Sequence, residues 1–238
     1  MTLQSVIQLN GIRKSYYIGK PNELEILHGI DLEIYEGQFV AIVGYSGSGK
    51  STLMNIIGAL DRPTQGSYIL DKTNIQRTED LALSKIRNEK IGFVFQNFNL
   101  IPRLSAIKNV ELPMAYAGMS KKERSKRAME LLTIVGMSER AQHLPNELSG
   151  GEKQRIAIAR AMANNPAIIL ADEPTGSLDS KTGRKVMDIF HHLHKENGKT
   201  IVLITHSNEL AEEADLIITI RDGLVIGTRE GKDKRWIF

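Results

Sequence analysis

A glycine-rich segment that ends in lysine and serine carries the clearest chemistry in the chain. Gly44, Gly49, Lys50 and Ser51 fit the pattern G-x-x-x-x-G-K-[ST]. Glycines let successive backbone N–H groups converge on phosphate oxygens, a helix start favours negative charge, and the lysine reaches the outer phosphates. A serine hydroxyl can also ligate Mg²⁺. The segment predicts a phosphate-binding loop (P-loop) made of Gly44, Tyr45, Ser46, Gly47, Ser48, Gly49, Lys50, Ser51 and Thr52.

Two carboxylates form a second candidate site. Asp172 and Glu173 directly follow the apolar residues 168–171. A buried strand that ends in two acids places them at the carboxyl edge of a sheet, where α/β proteins bind ligands. Asp172 can hold Mg²⁺, directly or through water. Glu173 can act as general base on the water that attacks a γ-phosphate.

Short apolar runs must supply the elements that position both segments. Such runs predict strands buried on both faces, as in parallel sheets. Helical periodicity lies between several of them, as at residues 180–195, and the P-loop has a strand before it and a helical pattern at 52–60 after it. This alternation predicts an α/β fold with a mostly parallel sheet. Asp222-Gly223 separates two apolar runs and predicts a hairpin between them. The predicted strands are 39–43, 91–95, 167–171, 201–205 and 216–220.

The middle of the chain follows a different pattern. Residues 97–165 show no convincing strand, whereas helical patterns occur around 120–135 and 152–163, punctuated by prolines. We therefore predict one domain over residues 1–238. Its α/β core would comprise 1–96 and 166–238, with a helical subdomain inserted at 97–165.

Composition excludes several classes of protein. The chain has 238 residues, a net charge of +3 and no cysteine, so a disulfide scaffold, cysteine-ligated zinc, an iron–sulfur cluster and a thiol nucleophile are excluded. No apolar run approaches the roughly 18 residues of a membrane span, and the start lacks signal-peptide architecture. We expect a soluble, cytoplasmic protein. The tail Lys232–Arg235, with Trp236 and Phe238, reads equally well as a flexible end or a docking strip.

The segment Leu148-Ser149-Gly150-Gly151-Glu152, followed by Lys153-Gln154-Arg155, resembles the signature motif of ABC ATPases. Other landmarks of that family follow in order over residues 6–230: an early aromatic residue, a glutamine after a strand, a D-loop and a histidine after a later strand. They are Tyr16, Gln96, Ser177-Leu178-Asp179 and His206. The resemblance implies a P-loop NTPase core with an N-terminal antiparallel β region and an inserted α-helical subdomain.

The resemblance also implies a role for each landmark, with ATP and Mg²⁺ as cofactors. Tyr16 would stack on adenine, with Tyr17 as the competing candidate. Gln96 would contact Mg²⁺ and the attacking water, and His206 would contact the γ-phosphate and position Glu173. The implied catalytic residues are Glu173, His206 and Gln96; the implied metal ligands are Ser51, Gln96 and Asp172; and Ser149, Gly150, Gly151 and Asp179 join the P-loop in binding nucleotide.

The resemblance further implies a dimer. Ser149, Gly150 and Gly151 would bind the γ-phosphate held by a second copy, so that two chains sandwich two ATP molecules.

Two positions depart from the family pattern: Tyr45 stands where many relatives carry proline, and Glu152 replaces the more usual glutamine. Both positions should tolerate the change.

Residues 97–102 and 109–113 look like a subgroup that includes lipoprotein-release, macrolide-export and antimicrobial-peptide-export ATPases. The resemblance implies a separate transmembrane permease subunit, a peripheral position at the cytoplasmic face of the membrane, and coupling to export or mechanotransmission. One alternative is an ATPase that regulates a membrane partner in cell division or cell-wall hydrolysis. A soluble ABC protein acting on nucleic acid or ribosomes is less favoured, since the coiled-coil insertions, zinc modules and fused domains of those relatives are missing, and no nucleic-acid partner is expected.

Overall fold

The structure is a computed structural model that describes residues 4–231. The tail residues Lys232–Arg235, Trp236 and Phe238 lie outside this range. Strands and helices alternate along most of the chain. In chain order they are β1 (Ser5–Tyr16), β2 (Leu24–Tyr35), β3 (Phe39–Val43), α1 (Lys50–Ile57), β4 (Gln65–Leu70), β5 (Thr73–Asn74), α2 (Asp80–Lys90), β6 (Ile91–Phe95), α3 (Ala106–Tyr116), α4 (Lys121–Ile134), α5 (Gly150–Ala161), β7 (Ile168–Asp172), α6 (Ser180–Lys195), β8 (Thr200–Ile204), α7 (Asn208–Ala211), β9 (Leu216–Arg221) and β10 (Leu224–Glu230).

The chain divides into two compact units. The first comprises the residues up to Leu83 and those from Gly198 onward; the second is Ser84–Asn197. This division does not follow the subdomain boundaries predicted at residues 97 and 165, which stay a prediction.

The first unit contains two sheets. The antiparallel sheet has the order β2-β1-β4-β5. In the other sheet β3 lies between β8 and β9 and runs parallel to both, while β10 pairs antiparallel with β9. Every residue of β3 and β8 is buried, which explains why both appear in the sequence as continuous apolar runs. The predicted hairpin at Asp222-Gly223 is confirmed, because it joins β9 to β10.

The second unit combines the parallel pair β6 and β7 with helices α3, α4, α5 and α6. Helix α5 is buried along most of its length and packs against β6, α3 and α4. The described residues between 97 and 165 include no strand, as predicted.

Helix α3 was not predicted, although it contains a regular apolar stripe. Pro113 lies inside it, and an interior proline costs a helix ~3 kcal/mol. The stripe Ala106, Ile107, Val110 and Met114 is fully or almost fully buried. Tertiary burial of this face therefore outweighs the local penalty. Within residues 4–231, none of the helices has the length and apolar character to span a membrane.

Candidate functional site

The P-loop lies in the first unit and connects β3 to α1. Gly47 and Gly49 have φ of 81° and 101°, a left-handed backbone that favours glycine. Gly44 is constrained by space instead, since a Cβ there would lie 2.2 Å from the carbonyl oxygen of Ile220. Tyr45, Ser46 and Gly47 are exposed. The loop therefore offers its backbone to solvent at the N-terminus of α1, where phosphate binds well.

Polar side chains of the loop have the chemistry that phosphate needs. The Lys50 ammonium donates to the carbonyl oxygens of Gly44 and Tyr45, at 2.7 and 2.9 Å, so the cation is folded against the loop. The Oγ of Ser48 is buried without a hydrogen-bond partner among the described residues. Ser51 and Thr52 lie in the first turn of α1, with Ser51 exposed. This donor set fits a nucleotide's phosphates.

The β9–β10 turn supports this loop, a role that the sequence analysis missed. The N–H of Gly223 donates to Ser48 O, and Gly223 O accepts from the N–H of His28, each at 3.0 Å. Gly223 has φ of 72°, and a Cβ on it would lie 2.1 Å from Ile26 O. The Asp-Gly pair indicated the turn, but no sequence signal indicated what the turn contacts.

His206 follows β8, which pairs in parallel with β3. Because parallel neighbours end at the same edge, His206 and the start of the P-loop lie at the same edge of this sheet. The imidazole is exposed. The backbone before it is fixed, since Thr205 N–H donates to Ile42 O at 3.2 Å and Thr205 Oγ1 accepts from Ser207 N–H at 3.1 Å.

The two candidate adenine-stacking tyrosines differ in their surroundings. The hydroxyl of Tyr16 donates to Asp61 at 3.2 Å, and the Lys14 ammonium lies 5.0 Å from the ring centroid. Tyr17 is 58% exposed and has φ of 57°. Tyr16 is thus an anchored ring and Tyr17 a projecting one.

The second unit brings together Gln96, Asp172 and Glu173. In the parallel pair Phe95 is in register with Asp172, so all three lie at one carboxyl edge. Glu173 has φ of 44°, and its carbonyl oxygen accepts from Gly176 N–H at 3.0 Å. A Cβ on Gly176 would lie only 2.7 Å from Nε2 of Gln96. The Gln96 amide therefore lies directly against the turn that begins at Glu173.

Ser149 caps helix α5. Its Oγ accepts from Glu152 N–H at 3.3 Å and donates to the Glu152 carboxylate at 2.8 Å, while Ser149 N–H donates to the same carboxylate oxygen at 2.8 Å. The other carboxylate oxygen lies 3.2 Å from Nε of Arg140. The backbone and side-chain hydrogen bonds from Ser149 lower the pKa of Glu152, with a smaller contribution from Arg140. Glu152 is therefore an ionised cap.

A polar pocket of about 290 Å³ lies beside this cap. Arg155 and Lys185 line it and add positive charge to the N-terminus of α5, which favours anions. Gly151 also lines it and admits no side chain, because a Cβ would lie 2.1 Å from Cγ2 of Thr182. The pocket therefore carries two cations, Arg155 and Lys185, against the single ionised carboxylate of Glu152, which also lines it.

Asp179, in the segment named as the D-loop, caps helix α6. Its carboxylate accepts from Thr182 N–H at 3.1 Å. Hydrogen bonds from Thr182 lower the pKa of Asp179. The side chain is exposed, and in this single chain its contacts are those of a helix cap.

The loop after Gln96 is held from inside the second unit. The Asn109 side chain accepts from Ile101 N–H at 2.7 Å and donates to the carbonyl oxygen of Leu104 at 2.9 Å. The Arg160 guanidinium donates to Phe98 O at 2.8 Å and also to Asn99 O. Phe98, Leu100 and Leu104 are half-buried, and Ile101 is exposed. The loop thus projects part of its apolar surface from a fixed backbone.

A sequence model of the ABC transporter family matches residues 27–176. The chain belongs to this family. The chain is 56% identical over 227 residues to an uncharacterized ABC transporter ATP-binding protein, YknY of Bacillus subtilis, covering 95% of this chain and 98% of that protein. It is 50% identical to the macrolide export ATP-binding/permease protein MacB 2 of Aeromonas hydrophila, covering 93% of this chain but 34% of that longer protein.

Solved structures agree with this assignment. A dimeric structure of the ATP-binding cassette MJ0796, in a post-hydrolysis state bound to ADP and Pi, has a TM-score of 0.86 at 48% identity and covers 95% of this chain and 99% of that one. The predicted fold class and the resemblance to ABC ATPases are confirmed. The chain is an ATP-binding domain and an ATPase.

The metal site stays a prediction. Within residues 4–231, no three His, Asp or Glu side chains are grouped closely enough to hold a metal ion. Mg²⁺ in nucleotide sites commonly uses one or two carboxylates together with substrate phosphates, so this finding does not conflict with Ser51, Gln96 and Asp172. Once bound, the ion would neutralise charge that develops on the phosphates.

Proposed function

We propose that two copies of this chain enclose two Mg-ATP molecules, each bound by the P-loop of one copy and the signature motif of the other. The observation that carries this proposal is the N-terminus of α5. Ser149 and Gly151 lie there beside the pocket lined by Arg155 and Lys185, and two cations at a helix N-terminus would favour a phosphate there in addition to the one at the P-loop. A dimeric relative of the same fold supports it.

Each site residue then has a defined task. Tyr16, held by Asp61, provides a rigid ring for adenine, with Tyr17 as the competing candidate. Lys50 leaves the loop carbonyls to neutralise the β- and γ-phosphates. Glu173 accepts the proton of the attacking water, and Gln96 and His206 orient that water and the γ-phosphate. Mg²⁺ would be held by Ser51, Gln96 and Asp172, and Asp179 contributes at the dimer surface.

The energy of hydrolysis drives a separate membrane protein in this proposal. The macrolide export relative is named as an ATP-binding/permease protein, and the present chain matches about a third of its length. We propose a transmembrane permease subunit as partner, a peripheral position on the cytoplasmic face of the membrane, and no nucleic acid. The system would handle lipoproteins, macrolides or antimicrobial peptides.

The deciding experiment uses Glu173→Gln. The amide cannot accept the proton from water, so hydrolysis should fall by ~10²–10⁴-fold. Binding of Mg-ATP should persist, and an ATP-bound dimer should accumulate in size-exclusion chromatography with light scattering. Lys50→Ala is the control, because loss of the phosphate-binding cation should prevent both binding and dimerisation. If Glu173→Gln elutes as a monomer at saturating Mg-ATP, the sandwich is wrong.

A further inference from the structure

Gln154 is a fully buried polar residue in the middle of helix α5. Its side-chain nitrogen donates to Pro174 O at 2.7 Å and to Phe95 O at 3.3 Å. One amide group therefore joins two backbone positions that lie 79 residues apart in sequence (174 − 95).

The orientation of this amide follows from its partners. Both are carbonyl oxygens and accept hydrogen bonds only, so the NH₂ group must face them. The Oε1 atom is buried and has no hydrogen-bond partner among the described residues. A buried acceptor without a partner is unfavourable, and an apolar side chain would avoid that cost only by taking the donor away from Phe95 O and Pro174 O. What the glutamine provides here is therefore the pair of hydrogen bonds to these two backbone positions.

The two carbonyl groups flank the residues assigned to hydrolysis. Phe95 ends β6 and directly precedes Gln96. Pro174 directly follows Glu173, whose left-handed φ of 44° is unusual for a residue with a side chain. Such a conformation persists when its surroundings determine it, and the hydrogen bond to Pro174 O is one such restraint.

Gln96 and the Glu173 turn are also held to each other. The hydroxyl of Ser177 donates to Gln96 O at 3.1 Å, and the Gln96 amide lies against Gly176. Gln154 adds two further hydrogen bonds, one to the residue before Gln96 and one to the residue after Glu173. The backbone of both hydrolytic residues is thus fixed on either side.

We infer that Gln154 is a positioning residue for ATP hydrolysis: it fixes Gln96 and Glu173 relative to each other and to the signature helix. The inference rests on the roles proposed above for these two residues. Because Gln154 lies five residues after Ser149, the N-cap of α5, a displacement of the signature motif would also move the carbonyl groups that Gln154 holds.

The test is Gln154→Met, which keeps an unbranched side chain of similar length but removes both donors. We expect kcat to fall by at least about tenfold, since a misplacement of about 1 Å can cost ~10²-fold. The Mg²⁺ concentration for half-maximal activity should rise severalfold, because Gln96 is the implied ligand nearest the lost hydrogen bond. The affinity of the monomer for ATP should stay within twofold of the parent.

Gln76→Met is the matched control. Gln76 also bridges backbone groups, accepting from Tyr68 N–H and donating to Gly66 O in the antiparallel sheet. It should lose thermal stability but keep kcat and Mg²⁺ dependence within twofold. Gln154→Glu, which has the shape of glutamine and no N–H donors, provides a second variant if the methionine variant is unstable, and all assays run well below the unfolding midpoint.

Normal kcat and Mg²⁺ dependence in a folded Gln154 variant would overturn the inference, even if its stability were reduced. Glu173→Gln separates this outcome from failure of the proposed function. If Glu173→Gln loses hydrolysis as expected while Gln154→Met retains it, only the positioning role is wrong. If Glu173→Gln remains active, the assignment of the base is wrong, and the positioning role that rests on it is also rejected.

Discussion

The Ser149 hydroxyl has one hydrogen, and in the structure it is donated to Glu152. A partner's γ-phosphate would need the same hydrogen. The ionised Glu152 also places negative charge next to that phosphate, although Arg140 offsets it in part. The cap that stabilises α5 therefore competes with the contact that would form the dimer.

Glu152→Gln should relieve this competition. We expect the ATP concentration for half-maximal dimerisation to fall by about two- to tenfold, the equivalent of the ~0.5–1.5 kcal/mol that a hydrogen bond typically contributes. Thermal stability should decrease slightly, because the charged cap is lost. Titrating ATP against a Glu173→Gln background by light scattering measures the first effect.

Glu123→Gln is the control for this variant. Glu123 forms the same capping box with Ser120 at the start of α4, so its replacement should lower stability without changing dimerisation. An unchanged ATP concentration for half-maximal dimerisation in Glu152→Gln would contradict the competition.

The stabilising effect of the Glu152 cap depends on pH. Because the pKa of Glu152 is lowered in the folded chain, this effect is present above the unfolded pKa and is lost as pH falls through the folded pKa.

At the scale of elements, helix α5 connects the candidate residues of the second unit. The signature residues begin it, Gln154 contacts the ends flanking Gln96 and Glu173, and Arg160 holds the loop after Gln96. Its distance from β6 is set by Gly92, because a Cβ there would lie 2.4 Å from Ala161 O. A small residue in this strand thus permits close packing of helix on sheet.

Gly92→Ala should therefore push α5 away from β6. We expect a loss of about 1–3 kcal/mol in the free energy of unfolding, as for other overpacked cores, and a reduced kcat at temperatures where the protein remains folded. Urea titration and steady-state ATPase assays measure the two effects. Gly227→Ala in β10 is the control, since a Cβ there meets nothing within 4 Å. Equal stability of the two variants would show that α5 tolerates the shift.

At the scale of the whole molecule, the P-loop and the signature motif of one chain contact two different nucleotides in the proposed sandwich. Ser149→Arg should leave ATP affinity of the monomer within about twofold, because the P-loop is intact, but abolish dimerisation and turnover. Ser120→Arg, at the equivalent cap of α4, should retain both. If monomer affinity fell as far as turnover in Ser149→Arg, the signature would act within its own chain.

The proposed coupling to a membrane partner would also be a property of the assembly. The loop after Gln96 exposes Ile101 and part of Phe98, Leu100 and Leu104, while Asn109 fixes its backbone. Contiguous exposed apolar surface often marks an interface. Ile101→Asp should abolish permease-stimulated hydrolysis and leave basal hydrolysis largely intact. Leu81→Asp, at another exposed leucine, is the control. Equal loss of basal and stimulated activity would show that Ile101 is needed for hydrolysis itself and not for coupling.

Local patterns in the sequence were enough to predict the P-loop and several strands and helices of this protein. The P-loop was evident because its glycines, lysine and serine lie close together in sequence. Strands β3 and β6 and helix α6 were predicted with their observed bounds, because burial on both faces of a strand, or along one stripe of a helix, leaves a local apolar pattern. Helix α3 was missed because a local penalty at Pro113 hid a stability that comes from packing.

Only the tertiary structure decided the contacts that tie the candidate residues together. Gln154 meets Phe95 and Pro174 from positions 59 and 20 residues away, and the Gly223 turn reaches the P-loop from the far end of the chain. Such contacts leave no periodicity or spacing in the sequence, because each is a single pair formed only when remote elements pack. The sequence therefore identified candidate residues for the site, and packing determined which of them are held in place.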